Sequence, residues 1–179
     1  RRRGSGQEYV ERLELLMNQA GVDVNYSPAR SAALLKEETT GRPAGAMVLP
    51  DGSVVTGKTS DLLGAASSLL MNALKGVAGV DDAVDVISNE VIEPICELKT
   101  STLNSRNPRL HSDETLLALS VTSATDPLAK QLIDHAGDLK GCDAFFSVII
   151  SSTDEKLYRT LGINVCCEPK YEQRRYYHR

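Results

Sequence analysis

The chain has 179 residues, a net charge of −4, 41% hydrophobic and 25% charged residues, the balance of a globular domain long enough to bury a core. Aromatic residues are scarce, with two Phe and no Trp, so aliphatic side chains must fill that core. No apolar run reaches the ~18–20 residues of a membrane-spanning helix, and the polar stretch after Arg1–Arg3 is not the apolar core of a signal peptide.

The first predicted element is a helix over Gln7–Ala20, where Tyr9, Leu13, Leu16 and Met17 recur at helical spacing and Gly21 supplies the stop. A second helix is predicted over Ala29–Glu37, followed by a polar loop to Gly45. Ala46–Leu49, the Asp51-Gly52 turn and β-branched Val54–Thr56 read as a hairpin. Ser60 and Asp61 offer N-caps to a long apolar helix running through Lys75, with Gly76 and Gly79 to end it. On that helix Asn72 and Lys75 can face a pocket, an interface or solvent.

Val84–Ile87 reads as a buried strand, and a helix carrying Ile95 and Leu98 follows with Pro94 in its first turn. Ser112 is the expected cap of the next helix, and Asp126-Pro127 opens another. Ala144–Ile150 is the most hydrophobic strand. Ser152-Thr-Asp-Glu155 matches a capping box for a helix that stops at Gly162, and Ile163–Cys167 is the last strand. Single helices between the later strands imply parallel crossovers, hence a three-layer α/β/α fold on a mixed sheet. The expected domains are an N-terminal helical extension and linker (1–43), an α/β domain (44–170) and a basic aromatic tail (171–179).

Charge and cysteines narrow the partners. Removing the six terminal arginines (Arg1–Arg3, Arg174, Arg175 and Arg179) leaves a distinctly acidic body, which argues against a nucleic-acid groove in the fold. The tail is expected to dock on a neighbouring subunit or domain. Cys96, Cys142, Cys166 and Cys167 form no Cys-x-x-Cys pair, so reduced thiols in a cytoplasmic protein are expected. His111, His135 and His178 are each expected to have a surface or packing role.

Gly52-Ser-Val-Val-Thr-Gly-Lys-Thr59 literally matches the phosphate-loop pattern. A phosphate loop must wrap so that many N–H groups point inward, and Ser-Val-Val-Thr resists that conformation, whereas a hairpin accounts for the first glycine. A weaker form of the motif survives: Lys58, Thr59 and Ser60 stand where a helix amino end favours an anion.

The block from Ala46 to Gly57, leading into an Ala-rich helix, resembles the opening of cytidine-deaminase-like folds. More closely, Leu49–Ser60, Ala65–Lys75 and Leu161–Val165 resemble the C-terminal region of the bacterial domain-of-unknown-function 1846 family. The resemblance implies a deaminase-like framework within a longer cytoplasmic protein. A zinc deaminase needs His or Cys and then Ala-Glu on its first helix, and Pro-Cys-x-x-Cys on its second. The resemblance puts Gly64, Ile95 and Leu98 at the ligand positions and Ala66 at the proton-shuttling Glu, so neither zinc nor another cofactor is expected. In such folds the loop at Lys58–Ser60 borders the pocket with the turn at Ser88–Glu90, which makes Lys58, Thr59, Ser60, Asn89 and Glu93 the candidate ligand residues.

Three functions follow as expectations. The first is a non-catalytic accessory, ligand-binding or oligomerisation domain, partnered by other domains of its parent, by a second copy, or by a small anion. The second is a metal-free enzyme domain acting on a phosphorylated or nucleotide-like small molecule. The third is a phosphate-loop nucleotide hydrolase. Nucleic acid and membranes are not expected partners.

Overall fold

The computed structural model describes residues 6–23 and 26–172; most of the basic aromatic tail, including His178, lies outside them. Helix α1 (Gln7–Ala20) ends on Gly21 at φ +67°, where Val22 N–H donates to the Met17 carbonyl. Helix α2 (Pro28–Thr40) opens with Pro28 in its first turn, and Ser27 Oγ accepts from Arg30 N–H.

Strands β1 (Ala44–Val48) and β2 (Val54–Lys58) form the expected antiparallel hairpin. Asp51 Oδ1 accepts from Ser53 N–H at 2.9 Å and from Ser53 Oγ at 2.6 Å, and Gly52 supplies φ +83°. These bonds, led by the one from the Ser53 hydroxyl, hold the Asp51 pKa below its ordinary value.

Helices α3 (Ala65–Ala78), α4 (Asn89–Glu97), α5 (Ser112–Thr122) and α6 (Pro127–Asp134) follow, then β3 (Asp143–Phe146), α7 (Ser152–Thr160) and β4 (Asn164–Cys167). The sheet order is β2-β1-β3-β4, with β1 antiparallel to both neighbours and β3 parallel to β4 across α7. The fold is therefore mixed α/β on a four-stranded mixed sheet. Alternation separates its faces: Ala46 and Phe145 pack toward Ala29 and Ala33 of α2, while Met47, Ala144 and Phe146 join the larger core with α3 and α7. Helix α2, assigned from the sequence to the residues before the domain, thus packs directly on the sheet.

The α3 layer lies unusually close to the hairpin. A Cβ on Gly57 would stand 2.2 Å from Leu69 N, a backbone atom of α3. Glycine at position 57 is thus explained by helix-on-strand packing. On the same face Tyr158 is fully buried, its hydroxyl donating to the Ala66 carbonyl at 2.7 Å and its ring meeting Phe146 edge-on.

Several expected elements are corrected. Val84–Ile87 is an irregular segment rather than a strand; its Val86 and Ile87 are apolar because they enter the core, not because they pair. β3 stops at Phe146, and Ser147–Ile150 remain buried beyond the sheet. α3 starts at Ala65, because Ser60 Oγ is used in a local turn that accepts from Leu62 and Leu63 N–H. Pro94 lies inside α4, which begins at Asn89, and α5 and α7 are capped from His111 and Ser151, one residue ahead of the expected Ser112 and Ser152. Among the described residues no helix is long and apolar enough to cross a membrane.

Candidate anion-binding site

The five candidate residues divide. Lys58, Ser60 and Asn89 line one cavity of about 410 Å³ between β2, α3 and the start of α4. Asn72 and Lys75 of α3 and Lys36 of α2 line it too. Thr59 points into a different, smaller niche, and Glu93 is exposed on α4 without lining either one. The alternation of β2 causes the first split: successive side chains leave a strand on opposite faces, so Lys58 and Thr59 cannot share a pocket at its end.

Lys75 is the informative member of the cavity. It is 6% exposed, and its ammonium donates to a single protein acceptor, the Asp82 carbonyl at 2.8 Å. An ammonium has three protons to place, and a buried charge without a counter-charge is costly. Neither Lys75, Lys58 nor Lys36 has a carboxylate partner among the described residues. Asn72 is oriented by donating Nδ2 to the Thr56 carbonyl at 2.9 Å. Asp82 and Asp85 also line the cavity, so the lysines outnumber the acidic groups without being paired to them. The arrangement can hold a small anion through charge and hydrogen bonds. Ser60 contributes shape more than donation, because its hydroxyl is engaged within its own turn.

The smaller niche lies at the amino end of α3. A parallel bridge between Leu63 and Leu110 brings the start of α5 there, and Ser67 Oγ donates to the Leu110 carbonyl at 2.7 Å. Beside it Asp154, 6% exposed, accepts from Ser112 N–H at 2.8 Å, Ser112 Oγ at 2.7 Å and Ser151 Oγ at 2.6 Å, and Asp154 Oδ2 lies 3.2 Å from His111 Nδ1. Burial pushes the Asp154 carboxyl up, but the bonds from His111, Ser151 and Ser112 outweigh it and hold the pKa below the ordinary value. The bond to Asp154 raises the His111 pKa, against the opposing effect of burial. Ser, His and Asp meet here without the geometry of a nucleophile relay: Ser151 and Asp154 address the same ring nitrogen, and Ser151 Oγ also accepts from Asp154 N–H as a helix cap. The cluster joins the amino ends of α5 and α7.

The family model for the C-terminal domain of unknown function DUF1846 matches residues 25–177. The chain belongs to that family. It is 47% identical to a UPF0371 protein of Corynebacterium efficiens over 166 residues, which is 93% of this chain and 34% of that protein. A UPF0371 protein of Corynebacterium diphtheriae is 45% identical over 98% of this chain and 35% of its own length. One from Streptococcus pyogenes is 41% identical over 94% and 34%. The chain therefore spans about a third of the length of these relatives, and its match includes α2.

Within this DUF1846 C-terminal domain, the niche at Gly64, Ala65 and Ala66 is also lined by Val148–Ile150, between β3 and α7, and by none of Pro94–Leu98. The phosphate-loop match also resolves: Val54–Lys58 is ladder-paired to β1, so it forms no wrapped ring of inward N–H groups. Lys36 and the His111–Asp154–Ser151 cluster escaped the sequence reading. Lys36 sits on a helix distant in sequence, and His111, expected in a surface or packing role, stands at the N-cap of α5. The capping spacing of Ser151 and Asp154 was the one available signal.

Proposed function

We propose that this domain is a ligand-binding accessory unit of a longer bacterial protein, built on a deaminase-like framework, and that it holds a small phosphorylated or carboxylated molecule in the lysine-lined cavity. The single observation that carries the reading is Lys75, whose buried ammonium has one backbone carbonyl and no carboxylate partner among the described residues. A bound anion would supply the missing acceptors in a setting where a charge-assisted bond is strong. Lys58 and Lys36 would face the same anion from β2 and α2, and Asn89 would close on it from α4. The hairpin followed at once by a helix laid across it supports the deaminase-like framework. An accessory role fits the cavity chemistry, since its described residues offer charge and donors but no nucleophile held against a base.

Isothermal titration of the purified domain with inorganic phosphate, nucleoside monophosphates, sugar phosphates and dicarboxylates tests this. Binding by at least one class, weakened at least tenfold in Lys75→Met and more modestly in Lys58→Ala, is the expected result. Failure of every class to bind at millimolar concentration would sink the proposal.

A further inference from the structure

The amino end of α3 carries an independent set of observations. The helix starts from Gly64 with no side-chain cap, and Ala65, Ala66 and Ser67 are 7%, 4% and 0% exposed. First-turn N–H groups have no acceptor inside their own helix, and these three have none elsewhere among the described residues. Thr59 lies against them, 1% exposed, and its Oγ1 is a buried side-chain oxygen without a hydrogen-bond partner among the described residues. An orphaned hydroxyl beside orphaned N–H groups costs stability twice over.

The charges around the niche are arranged about one carboxylate. Arg109, His111, Asp154 and Glu172 line it. Asp154 is saturated by Ser112, Ser151 and His111. Glu172 is different: it arrives from beyond β4, its Oε1 meets Arg109 Nη1 at 2.7 Å, and its side chain is 11% exposed. With Glu172 in place the niche measures about 20 Å³, room for about one water molecule.

We propose that this niche is a second oxyanion site, separate from the lysine-lined cavity. It receives a carboxylate or phosphate group on Thr59 Oγ1 and the N–H groups of Ala65–Ser67, and the Glu172 carboxylate closes it in the absence of such a group. The helix dipole favours negative charge at this end. Withdrawal of Glu172 enlarges the niche. Glu172 is the segment of this site that can yield, because it lies beyond the last strand and outside the sheet ladder.

The test is an amide-resolved NMR titration with inorganic phosphate, carried out in Lys75→Met so that the lysine-lined cavity is silenced. Glu172→Ala in that background is expected to bind phosphate at least tenfold more tightly than its parent, with the largest shifts at Ala65, Ala66 and Ser67. Adding Thr59→Val is expected to abolish the gain; because Thr59 Oγ1 has no partner to lose, the melting temperature should not fall. Equal affinity with and without Glu172, or shifts that avoid Ala65–Ser67, would overturn the proposal. If Thr59→Val unfolds the domain, the Glu172→Ala comparison still decides. Loss of binding in the lysine-lined cavity leaves this result unchanged, so the two sites fail separately.

Discussion

Lys75 and Lys99 are buried almost equally, at 6% and 5% exposed, yet they sit in opposite circumstances. Lys99 donates to Glu114 Oε2 and to the Arg109 carbonyl, both at 2.6 Å, and the same Glu114 oxygen accepts from His111 N–H at 2.8 Å. Lys75 has one backbone carbonyl and a cavity in front of it. Burial alone therefore does not tell a paired charge from an unpaired one; the partners across the fold do.

The largest expected effect comes from the wall the cavity shares with the core. Gly57→Ala places a methyl within van der Waals overlap of the α3 backbone and should cost about 3 kcal/mol or more, read as a lower urea midpoint; an unchanged midpoint would mean that α3 can lift off β2. Lys99→Met removes one partner of a mostly buried pair and should cost about 2 kcal/mol, given that Glu114 keeps 27% of its side chain exposed.

His111→Gln should remove a hydrogen bond to a charged group, about 1.5 kcal/mol, and change the pH profile. The folded His111 pKa is raised, so its contribution is full below the unfolded value of about 6.5 and is lost as pH rises through the folded one. The folded Asp154 pKa is lowered, so its contribution is present above about 3.9 and is lost as pH falls through the folded value. Melting temperature should therefore peak between these limits. His111→Gln should flatten the alkaline decline, with Lys99 and Glu114, the other charges facing the ring, left in place. The smallest loss is the sharpest test of the comparison: because the Lys75 ammonium has no carboxylate partner among the described residues, Lys75→Met should leave stability unchanged or raised while weakening anion binding in the lysine-lined cavity at least tenfold. A large loss of stability would place Lys75 in the same class as Lys99.

The fold was legible where local chemistry and tertiary packing agree. Asp51-Gly52 announces its turn because few other residues adopt that backbone, and Asp126-Pro127 announces α6 because a cap and a missing N–H suit one another there. It was illegible where burial imitates pairing. Val86 and Ile87 enter the core and Ser147–Ile150 are buried, in both cases outside any strand, and periodicity cannot separate such runs from paired ones. The cavity was partly legible. Lys58, Ser60 and Asn89 line it as the hairpin-to-helix resemblance implied, but Thr59 and Glu93 did not accompany them: one residue along a strand reverses the side chain, and on α4 it is Ile92 that turns to the cavity while Glu93 is exposed.

By itself the sequence determined the hairpin, the α/β class, the family and the concentration of small residues along α3. Those properties are written in neighbouring residues and in spacing. Only the tertiary structure decided that Lys36, Lys58 and Lys75 surround one cavity, that Thr59 is orphaned beside an uncapped helix, and that Lys99 is paired while Lys75 is not. Each of these depends on what a side chain meets across the fold, and the balance of met and unmet hydrogen bonds is a property of the assembled interior.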